Sequence, residues 1–230
     1  MTKKILGFIP ARGGSKSIHL KNIVPICGVP LIKYCIDASL KSKIIDKLIC
    51  STDNKEIASI ASASGCEIDL RPEHLAGDEV NVHCVVKDFL KRTSEKYEYV
   101  FLIQPTSPLI EPSDFINLLK AIKVNEKFLT AHNISNIPHN FHALNQRRIE
   151  DGQVEFVFEE DRKTYFNKQL KPKYFCFGNL CLSKYKNLIN NGTFFQSPSA
   201  YEIINWPRNI DVDGIDDVKI LEILMNLNLV

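Results

Sequence analysis

Three cationic side chains surround a pair of glycines near the start of the chain. The apolar run at residues 5–9 is typical of a strand buried on both faces, and Pro10 ends it. Gly13 and Gly14 follow, and we expect them to adopt positive φ angles in a tight turn whose backbone N–H groups face an anion. The cations around this turn are Arg12, Lys16 and Lys21. Because guanidinium and ammonium groups bind phosphate oxygens, the segment predicts a triphosphate-binding loop rather than a flexible surface loop.

Two carboxylates near the other end of the chain are candidates for a metal site. Asp211 and Asp213 alternate with apolar residues, and in a strand at residues 209–213 both carboxylates would share one face. Neighbouring carboxylates repel unless a cation lies between them, and Mg²⁺ typically takes one or two carboxylates together with substrate phosphates and water. We therefore expect Mg²⁺, or Mn²⁺, at this pair. A helix cap is the alternative role for Asp213, because the final amphipathic helix begins directly after it.

Strand and helix patterns alternate between these two segments. Strands are predicted at residues 5–9, 44–52, 66–70, 97–103, 128–132, 154–158 and 174–182, and helices at 31–40, 55–64, 80–92 and 113–124. This order predicts an α/β fold, a single three-layer domain over residues 1–230 with a mostly parallel sheet and helices on both faces. Ligands of such folds lie beyond the carboxyl ends of the strands, where the glycine loop, Asp53 and Arg71 would meet.

Composition limits the remaining classes. A chain of 230 residues that is 44% hydrophobic can bury the core of one domain. A net charge of +2 is too small to indicate a nucleic-acid or membrane-surface binder, and no apolar run reaches the ~18 residues of a membrane span. Seven cysteines without a C-x-x-C pair indicate reduced thiols, so we expect a cytoplasmic protein. His132, His139 and His142 are interpreted as loop histidines that hold no metal.

The glycine loop matches neither of the two commonest phosphate-binding motifs. G-x-x-x-x-G-K-[ST] and G-x-G-x-x-G are both absent, which argues against a P-loop NTPase or a dinucleotide-binding dehydrogenase. The loop instead resembles the A-R-x-x-S-K-x-x-x-x-K-N signature of the acylneuraminate cytidylyltransferases, the CMP-sialic acid synthetase family. The matching residues are Ala11, Arg12, Ser15, Lys16, Lys21 and Asn22. The chain departs from the family at Ser17, where glycine is usual, and at His19, where proline is frequent.

Further segments carry the same resemblance. Residues 71–78 match R-P-x-x-L-A-x-D, residues 103–109 match L-Q-P-T-S-P-L with Ile in place of the first Leu, and residues 211–213 match D-x-D. The resemblance implies a CTP site, a sugar site and a metal site, with Arg12, Lys21 and Asp211 as catalytic residues. The implied CTP ligands are Ala11, Arg12, Gly14, Ser15, Lys16, Lys21, Asn22 and Arg71. The implied sugar ligands are Gln104, Ser107, Phe194 and Phe195, and the implied metal ligands are Asp211 and Asp213.

The resemblance also implies a reaction and an assembly. It implies a nucleotidyltransferase that joins CTP to a nine-carbon keto-acid sugar, giving the CMP-sugar and diphosphate, and a homodimer built through an insertion at residues 134–173. The alternatives are a 3-deoxy-manno-octulosonate cytidylyltransferase, a sugar-nucleotide-dependent glycosyltransferase and a non-catalytic nucleotide-binding regulator. The sequence leaves the acceptor sugar undetermined, because acceptor-side positions depart from the family pattern. They are Ile110, Phe175, Phe177 and Cys181.

Overall fold

The computed structural model describes residues 4–190 and 192–229. The strands are β1 (Ile5–Pro10), β2 (Pro25–Ile26), β3 (Val29–Pro30), β4 (Lys47–Thr52), β5 (Glu67–Leu70), β6 (Tyr99–Ile103), β7 (Thr130–Asn136), β8 (Arg147–Glu150), β9 (Gln153–Phe156), β10 (Phe175–Lys184) and β11 (Ser199–Ile204). The helices are α1 (Leu31–Lys41), α2 (Lys55–Ala63), α3 (Val82–Arg92), α4 (Pro112–Lys123), α5 (Glu159–Thr164), α6 (Tyr185–Ile189) and α7 (Ile215–Asn226).

Seven strands form one sheet in the order β11-β7-β10-β6-β1-β4-β5. Strand β10 runs antiparallel to both β6 and β7, whereas the other pairings are parallel. The mostly parallel α/β sheet predicted from the sequence is therefore confirmed. Strands β1 and β6 are central and apolar throughout, as expected where both faces are covered.

The two faces of the sheet bury separate apolar clusters. One cluster packs α1, α2 and α4 against side chains such as Phe101 and Ile103, and the other packs α3 and α6 against side chains such as Phe8 and Leu102. A third cluster joins Val212 and α7 to Ile26 and Leu31. Because Val212 is fully buried there, the chain before α7 is held against the start of α1. No helix of the described chain, residues 4–190 and 192–229, has the length and apolarity to cross a membrane.

The segment at residues 209–213 is not a strand, so that prediction was wrong. The strand at this end of the chain is instead β11, which pairs with β7 in parallel. It was not predicted from the sequence. Residues 211–213 are joined to the loop after β6 by a backbone hydrogen bond from the Val212 N–H to the Thr106 carbonyl at 2.8 Å. The backbone around the two aspartates is therefore held by this bond and by the buried side chain of Val212, and not by a strand ladder.

The residues between β7 and β10 include a small outlying unit. Strands β8 and β9 pair with each other in a two-stranded sheet, and α5 follows them. Large apolar side chains are exposed on this unit, among them Phe141 (71%), Ile149 (80%) and Phe166 (63%). Strand β7 continues to Asn136, four residues further than predicted, so residues 134–136 belong to the central sheet.

Candidate active site

The glycine loop leaves the sheet at the carboxyl end of β1. Ala11 is fully buried and its N–H donates to the Ser51 carbonyl of β4 at 2.9 Å, which fixes the start of the loop. The Ala11 side chain therefore belongs to the core. That this residue binds CTP stays a prediction. Asn22 closes the loop, because its Nδ2 donates to the Arg12 carbonyl at 2.9 Å.

The two glycines do not have positive φ angles, contrary to prediction; the left-handed residues nearby are Leu20, Cys27 and Gly28. Glycine is required at position 13 for a different reason. A Cβ there would lie 2.9 Å from the Cβ of Asn54, which is closer than real contacts allow. The Gly13 N–H donates to Asp53 Oδ1 at 2.7 Å, so close packing on the start of α2 shapes the loop.

A carboxylate bridges two cations of the loop. Asp78 accepts from Arg12 Nη1 at 2.6 Å and from Lys16 Nζ at 2.7 Å. The hydrogen bond from Lys16 and then that from Arg12 lower the pKa of Asp78, so the bridge is charged at neutral pH. Asp78 therefore lies where an anionic ligand would neutralise the same two side chains.

Arg71 lies behind the loop. It is only 8% exposed, its Nη2 donates to the Ser51 carbonyl at 2.8 Å, and burial lowers its pKa. One side of the guanidinium is thus committed to the sheet while the residue still lines the cleft. A buried, anchored guanidinium is a rigid donor for an anion or a carbonyl.

A cleft of about 630 Å³ opens beside the loop. Four cationic side chains line it, from Arg12, Lys16, Lys21 and Arg71, against the single carboxylate of Asp78. The predicted residues Gly14, Ser15, Asn22 and Gln104 line it as well. Its apolar wall consists of Val80, Val82, Val85 and Leu102. An excess of positive charge in a concave site with an apolar wall suits an anionic ligand that carries a flat ring.

The acidic pair meets the loop at Lys21. Lys21 Nζ lies 3.1 Å from Asp213 Oδ1, so the amino-terminal and carboxyl-terminal motifs come together. The alternative role of Asp213 as a helix cap is wrong. Asp217 instead accepts the N–H groups of Asp213 and Gly214 at 2.9 and 2.8 Å, which leaves the Asp213 carboxylate directed to Lys21.

Asp211 is held under the loop that follows β6. Ser107 Oγ, which can donate to Asp211 Oδ1, lies 3.1 Å from it, and burial raises the pKa of Asp211. The charge of Asp213 raises that pKa further, whereas hydrogen bonds from Thr106 and Ser107 and the charge of Lys21 lower it. The two carboxylates are thus close enough to repel.

This donor set fits a hard divalent cation. Carboxylate oxygens are the ligands that Mg²⁺ and Mn²⁺ prefer, and a cation between Asp211 and Asp213 would relieve their repulsion. Within residues 4–190 and 192–229, no group of three or more His, Cys, Asp and Glu side chains is placed to hold a metal ion. A metal at the pair would therefore need further oxygens from a substrate, which is typical of Mg²⁺ bound with a nucleotide.

Two predicted sugar ligands are buried. Ser107 is 0% exposed, and its hydroxyl lies within hydrogen-bond distance of Asp211 Oδ1 and, at 3.3 Å, of Gln104 Oε1. Its role as a sugar ligand stays a prediction. Phe194 is 1% exposed and lies in the core with Val85 and Cys181. Phe195 is 60% exposed, so only this half of the pair is available to a ligand.

Sequence reasoning missed two carboxylates: Asp78, which pairs with the cations of the loop, and Asp217, which accepts from the backbone beside the acidic pair. Asp78 ends the R-P-x-x-L-A-x-D segment and Asp217 lies three residues into α7, so both were visible as charged residues. Asp78 accepts from Arg12, 66 residues away, whereas Asp217 accepts from the N–H of Asp213, four residues away. Only the second spacing is a local signal in the sequence.

Known proteins resemble this chain along most of its length. Residues 6–184 match the family model described as cytidylyltransferase. The CMP-N,N'-diacetyllegionaminic acid synthase of Legionella pneumophila is 33% identical over 233 residues, covering 98% of this chain and 97% of that protein. The pseudaminic acid cytidylyltransferase of Campylobacter jejuni is 31% identical over 234 residues, with 98% and 97% covered. The N-acylneuraminate cytidylyltransferase of Escherichia coli is 29% identical over 222 residues, covering 96% of this chain but 52% of that protein, so the chain spans about half its length.

Solved structures share the fold at low identity. A CMP-2-keto-3-deoxy-manno-octonic acid synthetase complexed with CTP has a TM-score of 0.75 at 15% identity, covering 98% of this chain and all of the other. The 4-diphosphocytidyl-2C-methyl-D-erythritol synthase of Anaerococcus prevotii has a TM-score of 0.66 at 13% identity, covering 97% and 96%. The fold is thus that of nucleotidyltransferases. The match over residues 6–184 and the relative that is 33% identical along nearly its whole length show that the chain belongs to the cytidylyltransferase family of enzymes.

Proposed function

We propose that the protein transfers a cytidylyl group from CTP to a nonulosonic acid, giving the CMP-sugar and diphosphate. One structural observation carries the proposal: the Lys21–Asp213 contact brings the acidic pair next to the cationic loop, and Lys21 itself lines the cleft. A triphosphate would neutralise the cations of the loop. A metal bound together with substrate oxygens would neutralise the carboxylates of Asp211 and Asp213. The full-length relatives named for legionaminic and pseudaminic acid support an acceptor of this class.

The loop residues would bind the triphosphate. Arg12, Lys16 and Lys21 converge on the cleft, and Gly14 and Ser15 line it beside them. On binding, phosphate oxygens would replace the carboxylates of Asp78 and Asp213 as partners of these cations. Arg71 and Asn22 would complete the nucleotide site from the sheet side, since both are anchored by backbone carbonyls.

Asp211 and Asp213 would hold Mg²⁺ or Mn²⁺, which would supply charge neutralisation at the reacting phosphate. The chain's own residues orient the other groups. Ser107 holds Asp211 and Gln104 together, so the carboxylate and the sugar-binding amide keep a fixed spacing. Phe195 provides an apolar surface for the acceptor.

The reaction needs positioning more than covalent chemistry. The anomeric oxygen of the sugar forms a bond to the α-phosphorus of CTP, the bond from that phosphorus to the bridging oxygen of the β-phosphate breaks, and diphosphate leaves as the hydroxyl proton is lost to solvent. Arg12 and Lys21 would stabilise the charge that develops on diphosphate. Charge stabilisation by prepositioned cations is the main term in phosphoryl and nucleotidyl transfer.

We further propose a homodimer that works in the cytosol. Large apolar side chains are exposed between β7 and β10, and burying them in an association would be favourable. Sedimentation at micromolar concentration, with Ile149→Asp and Phe166→Asp as dissociating changes, tests this part separately.

Pyrophosphate release from CTP and Mg²⁺ tests the function directly. We expect release only when a nonulosonic acid is present, with less or none when 3-deoxy-manno-octulosonate replaces it. Release with that eight-carbon acid alone would identify the octulosonate reaction instead. Tight CTP binding without release in the presence of any sugar would identify a nucleotide-binding regulator.

A further inference from the structure

Two asparagines form a buried pair on neighbouring strands of the central sheet. Asn133 of β7 and Asn179 of β10 are both 0% exposed, and Asn133 Nδ2 donates to Asn179 Oδ1 at 2.8 Å. Asn179 Nδ2 in turn donates to the Arg208 carbonyl at 3.0 Å. A carbonyl oxygen can only accept, so this bond fixes which way the Asn179 amide faces and, through it, which way the Asn133 amide faces. The pair therefore joins the sheet to the segment that precedes Asp211.

A glycine and an irregularity in strand pairing bring the two amides together. The pairing of β10 with β7 shifts register between residues 177 and 181, so Asn179 lies outside the regular ladder. At Gly178 a Cβ would lie 2.8 Å from the carbonyl oxygen of Asn133, which is closer than real contacts allow. Only glycine permits the strands to approach each other in this way. The Asn179 amide is thus free to bond outside the sheet while it stays in contact with Asn133.

The segment that carries the acidic pair is held at two points. Arg208 is fixed through its carbonyl by Asn179, and through its side chain, whose Nη2 donates to the two carboxylate oxygens of Asp114 at 2.5 and 2.6 Å. Four residues later, the Val212 N–H donates to a carbonyl of the loop after β6. Asp211 lies between these two points, so the position of its carboxylate depends on both of them.

Stability alone does not explain the buried pair. Asn133 Oδ1 is buried and has no hydrogen-bond partner within residues 4–190 and 192–229. An unsatisfied buried acceptor costs about 1–3 kcal/mol, and two apolar side chains of similar shape would avoid that cost. The pair supplies one feature that apolar side chains lack, which is an oriented donor on Asn179. Polar groups that are kept at a cost in stability are typical of functional sites.

We propose that Asn179, oriented by Asn133, is a positioning residue for the metal site. It acts through the Arg208 carbonyl, which sets the path of the chain into Asp211 and Asp213. Without this bond both carboxylates remain, but their spacing is no longer fixed for one cation, because metal ligands need supports that hold them within about 0.5 Å. Affinity for a divalent metal therefore falls, whereas the glycine loop keeps its affinity for the triphosphate. This inference rests on the proposed metal nucleotide site.

The gain in CTP affinity on adding Mn²⁺ tests the proposal without turnover. Calorimetry without any sugar gives the Kd for CTP in the absence of metal and at saturating Mn²⁺, and the ratio of the two is the metal gain. In Asn179→Ala we expect the metal-free Kd to stay within about twofold of wild type and the metal gain to fall by about tenfold, the effect typical of removing a group that orients metal ligands. An unchanged metal gain in this variant would overturn the proposal.

Asn187→Ala is the matched control. Asn187 is also buried and its Nδ2 also donates to a backbone carbonyl, that of Thr193 at 2.9 Å, but it lies in α6, beyond the other end of β10. The two variants should lose similar free energies of unfolding in urea, and the control should keep the metal gain. An equal loss of metal gain in the control would show that Asn179 has only a structural role.

Two further results keep the test decisive. Asn133→Ala retains the donor of Asn179 and removes the bond that orients it, so we expect the metal gain to fall by about threefold. If Asn179→Ala does not fold, an unchanged metal gain in Asn133→Ala overturns the proposal in its place. No metal gain in the wild-type protein would reject the proposed metal nucleotide site itself, and this inference with it.

Discussion

Lys21 and Asp213 are joined by an ion pair of 3.1 Å between Nζ and Oδ1, although 192 residues separate them in the chain. The Lys21 side chain is 16% exposed and that of Asp213 is 83% exposed, so the pair lies at the rim of the cleft with the lysine inside. Solvent screens an ion pair at such a rim, which makes it easy to exchange for stronger ligands. Both partners are thus available to a metal nucleotide.

Replacing Lys21 with Ala should weaken the use of CTP. A hydrogen bond from a charged group is worth ~1.5–3 kcal/mol, so we expect KM for CTP to rise by about ten- to hundredfold with a smaller change in kcat. Lys33→Ala is the matched control, because Lys33 pairs with Asp37 on α1 and is not a lining residue of the cleft. If KM for CTP stays the same in a folded Lys21→Ala enzyme, the phosphate assignment is wrong.

Replacing Asp78 with Asn should strengthen anion binding. The carboxylate competes with phosphate for Arg12 and Lys16, and exposed ion pairs are worth only ~0–1 kcal/mol, so we expect the Kd for diphosphate to fall by about two- to fivefold. Titration calorimetry with diphosphate in the absence of metal measures this. Weaker binding in the variant would mean that Asp78 holds the cations in the binding geometry and does not compete.

Replacing Asp114 with Ala should destabilise the fold. Arg208 donates to both oxygens of Asp114, whose side chain is 2% exposed, and the Arg208 carbonyl accepts from Asn179. Removing one partner of a largely buried pair leaves the other uncompensated, and we expect a loss of about 2–4 kcal/mol in the free energy of unfolding. Urea unfolding measures it, with Asp37→Ala as the same change at an exposed pair. Equal losses in both variants would contradict the account.

Glu95 should contribute a pH-dependent part of the stability. It accepts from Lys4 and Lys47 at 2.8 Å each, and these bonds lower its pKa from 4.5 to about 2. Because the pKa of Glu95 is lower in the folded state, its carboxylate stabilises the fold at pH values above its pKa in the unfolded chain. That stabilisation is lost as the pH falls towards 2. The difference in urea midpoint between wild type and Glu95→Gln should therefore be largest near pH 6 and shrink between pH 5 and 3. A constant difference would show that the charge of Glu95 is not involved.

The strands and helices that carry the cleft were predictable because their patterns are local. Strand β6 is entirely apolar and ends at Gln104-Pro105, and Asn54 precedes a helical pattern whose cap it forms by accepting from Glu56 and Ile57. Residues 209–213 were wrongly predicted as a strand. Aspartate alternates with apolar residues there as it would in a strand, but the segment is irregular and one valine of it is buried. Strand β11 was not predicted because its exposed face carries Tyr201 and Ile203. The segment therefore lacks the alternation of polar and apolar residues that indicates a half-exposed strand.

The site was predictable as a set of residues and not as a set of contacts. The cations of the loop line the cleft as expected. Glycine is required at position 13 because a side chain there would collide with the Cβ of Asn54, and no local sequence pattern indicates that contact. Ser107 and Phe194 are buried, whereas Phe195, the neighbour of Phe194, is exposed and Gln104 lines the cleft. Sequence spacing does not specify which member of an adjacent pair faces outward in a loop.

Turnover by Asp211→Asn is the measurement that tests the central claim most directly. The claim is that the amino-terminal loop and the acidic pair act on one metal nucleotide, so the variant should still bind CTP without metal within about threefold of wild type. CMP-sugar formation, followed in a single turnover with a nonulosonic acid and Mg²⁺, should fall by about 10³-fold, the order expected when a charge-stabilising group is removed. Wild-type rates in a folded Asp211→Asn enzyme would contradict the account.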